Sequence, residues 1–327
     1  MSFAQYIKEI SRSAAGAGEL SEHDAQQLFG AILDGGVAEL ELGAILLALR
    51  VKSESLSELL GFHGALNERL CRLRASEGKA KPVVLPSYGG ARGQPNLLPL
   101  LALLLQRFGV PVLIHGELAG NGRVASAYIL RELGVMPSAN LAQAQEALER
   151  DGLAFVPIAV LAPGLANVLS LRGRLGVRTS AHVMVRLIDP FDSECLRVVG
   201  ASHPPYIVKL REILLVTGAR ALLLRSTEGE PFAEPARRPK IEYFSDGASS
   251  VLFDAESGPL KATPALPAAI DAAATADWIK HVLAGDAPVP LPLVNQLACC
   301  LFAAGYTSDL NQAKAIVAVE TGSLAAA

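Results

Sequence analysis

The feature that most constrains this chain is a unit that recurs after about residue 80: a short run of Val, Leu and Ile, a glycine-bearing loop, then a stretch with helical spacing. KPVVLPS leads into SYGGARGQPN and a Leu-rich helix; VPVLIHG leads into HGELAGNGRVAS and SAYILRELGV. LAFVPIAV, CLRVVGAS, ALLLRST and the segment around IEYF continue the series. Strands alternating with helices predict an α/β domain over 80–327 with a mainly parallel central sheet. The tail from Ala268 to Val317 reads as two further helices separated by APVPLPLV.

Residues 1–75 read differently, as a small helical domain. Ser21 stands before EHDAQQLFGAIL as an N-cap, with Gly35-Gly36 at the far end, and Ser55 or Ser57 begins SELLGFHGALNERL. A mostly helical segment at about 164–188 interrupts the strand series and is expected to join the helical domain in space.

Composition narrows the class. With 51% apolar and 19% charged residues the chain is a folded globular protein, and with 5% aromatics its core must be aliphatic. The longest apolar run, NLLPLLALLLQ, is too short to span a bilayer, and the charged N-terminus lacks a signal-peptide stretch. Four cysteines show neither a disulfide framework nor metal spacing, and Cys299-Cys300 reads as a pair of small buried hydrophobes. A cytoplasmic location without membrane association is the expectation.

In α/β sheets ligands gather where strand ends enter helices. The first such loop carries Gly89, Gly90 and Gly93, whose backbone can approach a ligand closely, and Arg92; its amides can hold an anion or serve an ordinary tight turn. The second carries His115, Gly116, Arg123 and Ser126, but also Glu117, which repels phosphate. Glu228, Glu230 and Glu234 in TEGEPFAEP, with Asp189 and Asp192, are read as metal ligands or, by preference, surface acids. No nucleophile elbow and no histidine metal pattern is present, so no metal site and no catalytic residue is assigned.

The net charge of −3 gives no whole-molecule attraction to nucleic acid, yet residues 168–240 hold twelve basic side chains against seven acidic ones. Arg172, Arg174, Arg178, Arg186, Lys209, Arg211, Arg237, Arg238 and Lys240 form a candidate phosphate-contacting set, with 174 and 178 placed to share a helix face. The alternative is a solvated surface. Tyr88, Tyr206 and Tyr243 are either stacking platforms for single strands or buried tyrosines.

AILDGGVAELELGAILLALRVKSESLSELLGFHGAL resembles the N-terminal helical domain of the anthranilate phosphoribosyltransferases and related nucleoside phosphorylases. LGVRT leading to DP, VPVLIHG, SAYILRELGV and VVGASHPPYIVKLREILLVTGARALLL resemble later family segments in order. The resemblance implies the nucleoside phosphorylase/phosphoribosyltransferase fold. It also implies a phosphoribosyl diphosphate and Mg²⁺ site, and here the sequence departs. The family's Gly-Thr-Gly-Gly-Asp is Ser87-Tyr88-Gly89-Gly90-Ala91, its lysine before His-Gly is Ile114, its next asparagine is Glu117, and its Asp-Glu metal pair has become part of GEPFAEP. Arg178, matching the acceptor-holding arginine, and His115-Gly116 remain.

Such losses are similar to those of a divergent YbiB or TrpD2-like branch, which implies sequence-independent nucleic-acid binding and homodimerisation through the helical domain. The leading expectation is therefore a dimeric, non-specific nucleic-acid-binding protein on a transferase scaffold, with no cofactor. The alternative is a phosphoribosyl- or glycosyltransferase with an altered acceptor and a rebuilt diphosphate site, using Mg²⁺ with phosphoribosyl diphosphate. A third reading is a ligand sensor without turnover.

Overall fold

A computed structural model describes residues 3–12, 18–75, 78, 80–120, 122–258, 260 and 265–322. In chain order the elements are α1 (Phe3–Ile10), α2 (Glu22–Leu33), α3 (Glu39–Lys52), α4 (Leu56–Asn67), β1 (Val83–Ser87), α5 (Leu98–Arg107), β2 (Val112–Gly116), α6 (Ser126–Glu132), α7 (Leu141–Asp151) and β3 (Leu153–Pro157). Then come α8 (Ile158–Leu161), α9 (Pro163–Ser170), α10 (Arg172–Leu175), α11 (Ala181–Met184) with a 3-10 turn Val185–Leu187, β4 (Leu196–Ala201) and α12 (Pro204–Val216). β5 (Ala221–Arg225), β6 (Ile241–Ser245), β7 (Ala248–Phe253), α13 (Ala272–Ala284), α14 (Leu291–Ala303) and α15 (Leu310–Thr321) complete the chain. The chain divides into a helical unit, residues 1–72 with 158–190, and an α/β unit, residues 73–157 with 191–327.

In the helical unit the capping chemistry does what the sequence predicts. The Ser21 hydroxyl accepts the Asp24 amide at 3.1 Å, and Ser55 with Glu58 closes a reciprocal capping box at the start of α4. α2 and α4 pack closely because Gly61 has no side chain. A Cβ there would strike the Glu22 carbonyl, and it would lie 2.8 Å from Ala25 Cβ. Beside that contact Phe29 and Phe62 stack with centroids 4.7 Å apart. The 164–188 segment is helical but broken: Gly176, at φ 71°, terminates the four-residue α10. Arg174 and Arg178 therefore do not share a helix face, contrary to the i,i+4 expectation.

The α/β unit is built on one seven-stranded sheet in the order β3-β2-β1-β4-β5-β6-β7. β1 to β5 pair in parallel, as the alternating pattern predicts. Two strand readings need correction. LAFVPIAV is strand only to Pro157, after which Ile158 begins α8. The IEYF strand runs antiparallel to β5 and is followed by an unanticipated β7. Its signal was Asp246-Gly247, whose positive φ values of 53° and 75° make a two-residue hairpin turn.

The tail holds three helices, not two. Pro292 falls in the first turn of α14, where a missing N–H costs nothing, so the proline-rich stretch starts a helix instead of separating two. α14 is buried on nearly every face, Leu293, Leu297, Cys299, Cys300 and Leu301 among the fully buried residues. Each buried leucine of this kind contributes about 1.5–3 kcal/mol. Cys299 and Cys300 form no disulfide, and burial pushes both thiols up.

Candidate functional site

The sheet reverses direction of growth at β1: β2 and β3 lie on one side, β4 and β5 on the other. The crevice beyond the carboxyl ends of strands at such a switch point is where open α/β sheets place ligands. The glycine loop leaves β1 there, as the sequence predicts. Its backbone N–H groups do converge on an anion, but the anion belongs to the chain.

Glu230 is 1% exposed. Its Oε1 accepts the amides of Gly89 at 2.6 Å and Gly90 at 2.8 Å; its Oε2 accepts Ser87 Oγ at 2.8 Å and Ser126 Oγ at 3.3 Å. Asn96 Nδ2 donates in turn to Ser126 Oγ at 3.0 Å. The half-buried Glu228 does the same further along, taking the amides of Arg92 at 2.6 Å and Gly93 at 2.8 Å. Gly89 is required by this arrangement: a Cβ would lie 2.7 Å from the Glu228 carbonyl oxygen and 2.9 Å from the Glu230 nitrogen. Burial raises the Glu230 pKa, and the amide and hydroxyl donors only partly oppose it.

Reading Glu230 as a surface acid is thus corrected: no exposed position would supply four donors to one carboxylate. The signal for it was the Thr-Glu-Gly-Glu spacing. Glu228 and Gly229, both at positive φ (53° and 100°), form a tight tip between the mutually hydrogen-bonded Thr227 and Glu230. The sequence places Ser126 at the second loop and offers Glu228 and Glu230 only as metal ligands or surface acids, and it gives no site role to Ser87 or Asn96.

His115 is fully buried at the end of β2. Its Nδ1 lies 2.7 Å from the Tyr88 hydroxyl, and burial pushes its pKa down to about 3. It is a neutral ring here, and it offers no charge to an anion. Tyr88 is 8% exposed, so it cannot stack on a nucleobase. Tyr243 is half-buried, packed edge-on against Phe302, with its hydroxyl accepting from Arg220. Gly116 is needed where it stands, because a Cβ would collide with the Ser87 carbonyl of the neighbouring strand. Arg123 Nη1 reaches the carbonyls of Glu228 at 3.3 Å and Gly90 at 3.4 Å, while the Arg92 side chain is exposed.

The residues do not fit the Mg²⁺ that the transferase alternative would use. Both carboxylates at the loop are occupied by N–H and O–H donors, and the described residues contain no group of three or more metal-ligating side chains. Ile114, at the position where the resemblance implies a lysine, is fully buried in the apolar core of the α/β unit.

The basic set is divided between the two units. Arg172, Arg174, Arg178 and Arg186 belong to the helical unit; Lys209, Arg211, Arg237, Arg238 and Lys240 belong to the α/β unit. Several are paired with acids: Arg174 with Glu39 at 2.9 Å and Arg238 with Glu256 at 3.0 Å, while Arg211 and Lys240 share the one carboxylate of Glu242 at 2.9 and 3.3 Å. Arg172, Arg178 and Arg186 do act on one group. His182 is 8% exposed, and its pKa falls to about 3, first through burial, then through the charges of Arg178, Arg172 and Arg186. Its Nδ1 accepts the Thr179 amide at 3.1 Å, which puts the proton of the neutral ring on Nε2, a buried atom with no protein partner.

Residues 4–69 match the glycosyl transferase family, helical bundle domain. The chain is 39% identical to the uncharacterized protein YbiB of Escherichia coli (strain K12) over 97% of this chain and 99% of that one. It is 28% identical to the anthranilate phosphoribosyltransferase of Rhodospirillum rubrum, over 98% and 93% of the two chains. Among solved structures, the anthranilate phosphoribosyltransferase of Thermus thermophilus superposes with a TM-score of 0.76 at 26% identity, covering 97% of this chain and 94% of that one.

Proposed function

The chain belongs to the anthranilate phosphoribosyltransferase-like family, in its YbiB-like branch, and on that premise we propose that it is a phosphoribosyl- or glycosyltransferase-type protein with an altered acceptor and a rebuilt diphosphate site. One observation carries the reading. Four loop amides, those of Gly89, Gly90, Arg92 and Gly93, are aimed at carboxylate oxygens, so the backbone remains a working anion cradle although the side chains around it have changed. Anthranilate itself is a poor candidate for the acceptor. The residue matching the acceptor-holding arginine, Arg178, now shares its surroundings with Arg172, Arg186 and the unpartnered Nε2–H of His182, which favours a more highly charged acid. Calorimetry with phosphoribosyl diphosphate, with and without Mg²⁺, tests the donor: saturable binding is expected, and its absence at millimolar ligand removes the reading.

Arg172, Arg178 and Arg186 also favour a second reading, non-specific nucleic-acid binding, because their combined potential is felt at one buried histidine. The pairing of Arg174, Arg211, Arg238 and Lys240 with acids narrows the set able to contribute. Titration of labelled single- and double-stranded DNA at two salt concentrations tests it, and no binding at low salt sinks it.

A homodimer through the helical unit is supported by α3. Leu40, Ala44, Leu47 and Val51 are exposed at spacings of four, three and four, a seam suited to a second copy of the same helix. Among the described residues no helix is long and apolar enough to cross a membrane. A cytoplasmic location accords with this reading.

A further inference from the structure

We infer that the turn at residues 227–230 is an autoinhibitory plug, a hairpin tip that fills the anion cradle of the glycine loop and must withdraw before an external phosphate-bearing ligand enters. The inference rests on the reading of that loop as a donor cradle.

Two anions cannot use the same N–H groups, and the plug uses four of them. A phosphate placed beside Glu228 and Glu230 would also meet two carboxylates of like charge. Rearrangement of the tip relieves both conflicts, and the residues below the tip are held by contacts of their own. Below it, Thr227 Oγ1 donates to the Phe232 carbonyl at 2.7 Å. The buried Gln296 bridges Ala233 N at 2.7 Å and the Pro231 carbonyl at 2.8 Å. The tip itself is two residues at positive φ, and Glu228 at 53° is a non-glycine residue in a conformation that contacts must maintain. Those contacts are the loop amides and the Arg123 guanidinium on the Glu228 carbonyl. With the tip withdrawn, Arg123 would be released beside four unfilled amides and the exposed Arg92, a cradle with two cations.

A purely structural cap would share this geometry but would not compete with ligand. The test titrates inorganic pyrophosphate, without metal, into the full-length wild type and into the Glu228→Ala/Glu230→Ala double variant, following heat and the ¹⁵N shifts of Gly89, Gly90 and Gly93. The double variant should bind at least tenfold more tightly, about 1.4 kcal/mol, with shifts at those amides. A folded double variant that binds no better than wild type overturns the plug. If it melts below the titration temperature, Glu228→Ala alone is used. That change frees only the Arg92 and Gly93 amides, and no gain in affinity there also overturns the proposal. Equally tight binding by the wild type removes the plug but leaves the transferase reading standing. Tight pyrophosphate binding by the variant, with no binding of phosphoribosyl diphosphate in a parallel titration, leaves the plug and removes that reading.

Discussion

Glu230 Oε1 lies 2.6 Å from the Gly89 amide, and this contact joins the turn that follows β5 to the loop after β1 across 141 residues of sequence. It is a charge-assisted bond in a buried setting, among the stronger kinds a loop can form. It exists only because residue 89 has no side chain. Gly89→Ala would set a methyl 2.7 Å from the Glu228 carbonyl oxygen and the Gly229 carbonyl carbon, backbone atoms that clear it only if the tip shifts off the loop. A loss of about 1–3 kcal/mol is expected in urea denaturation. Gly93→Ala meets only the mobile Glu228 Oε1 and should cost less than Gly89→Ala. Equal stability of Gly89→Ala and wild type would contradict the geometry.

Acid should weaken the fold before it protonates most carboxylates. His115 and His182 are held neutral, with pKa values near 3 against an unfolded value near 6.5. The unfolded chain therefore binds more protons than the folded one between those pH values, and stability falls as pH drops through that window. Each histidine removes up to about 1.4 kcal/mol per unit. Glu230 acts in the opposite sense. Its raised pKa means the folded state binds the extra proton, so its share of stability is present below the unfolded carboxylate value and is lost as pH rises through the folded one. Denaturation midpoints measured from pH 7 to pH 4 should decline overall, and His115→Asn should decline less steeply. Parallel pH profiles would show that His115 is not the responsible group.

The sequence made the parallel core and the caps legible because both are local: alternating apolar runs define β1 to β5, and Ser21 and Ser55 sit directly before their helices. The glycine loop was legible as an anion cradle for the same reason. Its occupant was not, because Glu230 is more than a hundred residues away and a Glu in a Gly-Pro context reads as surface. The 174–178 pairing failed on one residue, Gly176, which can stop a helix that the surrounding pattern would continue. Likewise charge counts marked 168–240 as basic, but only contacts across the fold reveal that Glu39, Glu242 and Glu256 neutralise part of it.

The helical unit has its own buried charge. Glu58 is fully buried, its Oε2 2.7 Å from Lys52 Nζ and 2.9 Å from the Ser55 amide, its Oε1 3.0 Å from the Leu20 amide. Glu58→Ala would leave a buried ammonium and two amides without their acceptor, costing about 3–5 kcal/mol. Glu58→Gln keeps an acceptor and should lose less. Thermal melts of the two variants check the order, and a mild Glu58→Ala would mean that water reaches the site.

Under the nucleic-acid reading, binding should be uneven across the arginines. Arg174 is paired with Glu39, whereas Arg172 acts on the His182 site. Arg172→Ala is therefore expected to reduce the slope of log affinity against log salt by roughly 0.7–0.9, and Arg174→Ala to change it little. Fluorescence anisotropy on a labelled oligonucleotide at several salt concentrations measures both. Identical slopes for the two variants would mean that the charge pairing has no bearing on binding.

The α3 seam makes the last expectation specific. Leu40 and Val51 are each 84% exposed, a large apolar cost for one helix unless a partner covers them. A seam of Leu40, Ala44, Leu47 and Val51 can pair with its own copy, since a two-fold axis brings the same residues to both sides. Leu40→Glu/Val51→Glu places like charges on each side of that axis, whereas in the isolated chain both side chains already face solvent. Sedimentation equilibrium should therefore move from dimer to monomer while far-UV circular dichroism stays unchanged. A wild type that sediments as a monomer at high concentration, or a double variant that remains dimeric, rules out this face as the interface.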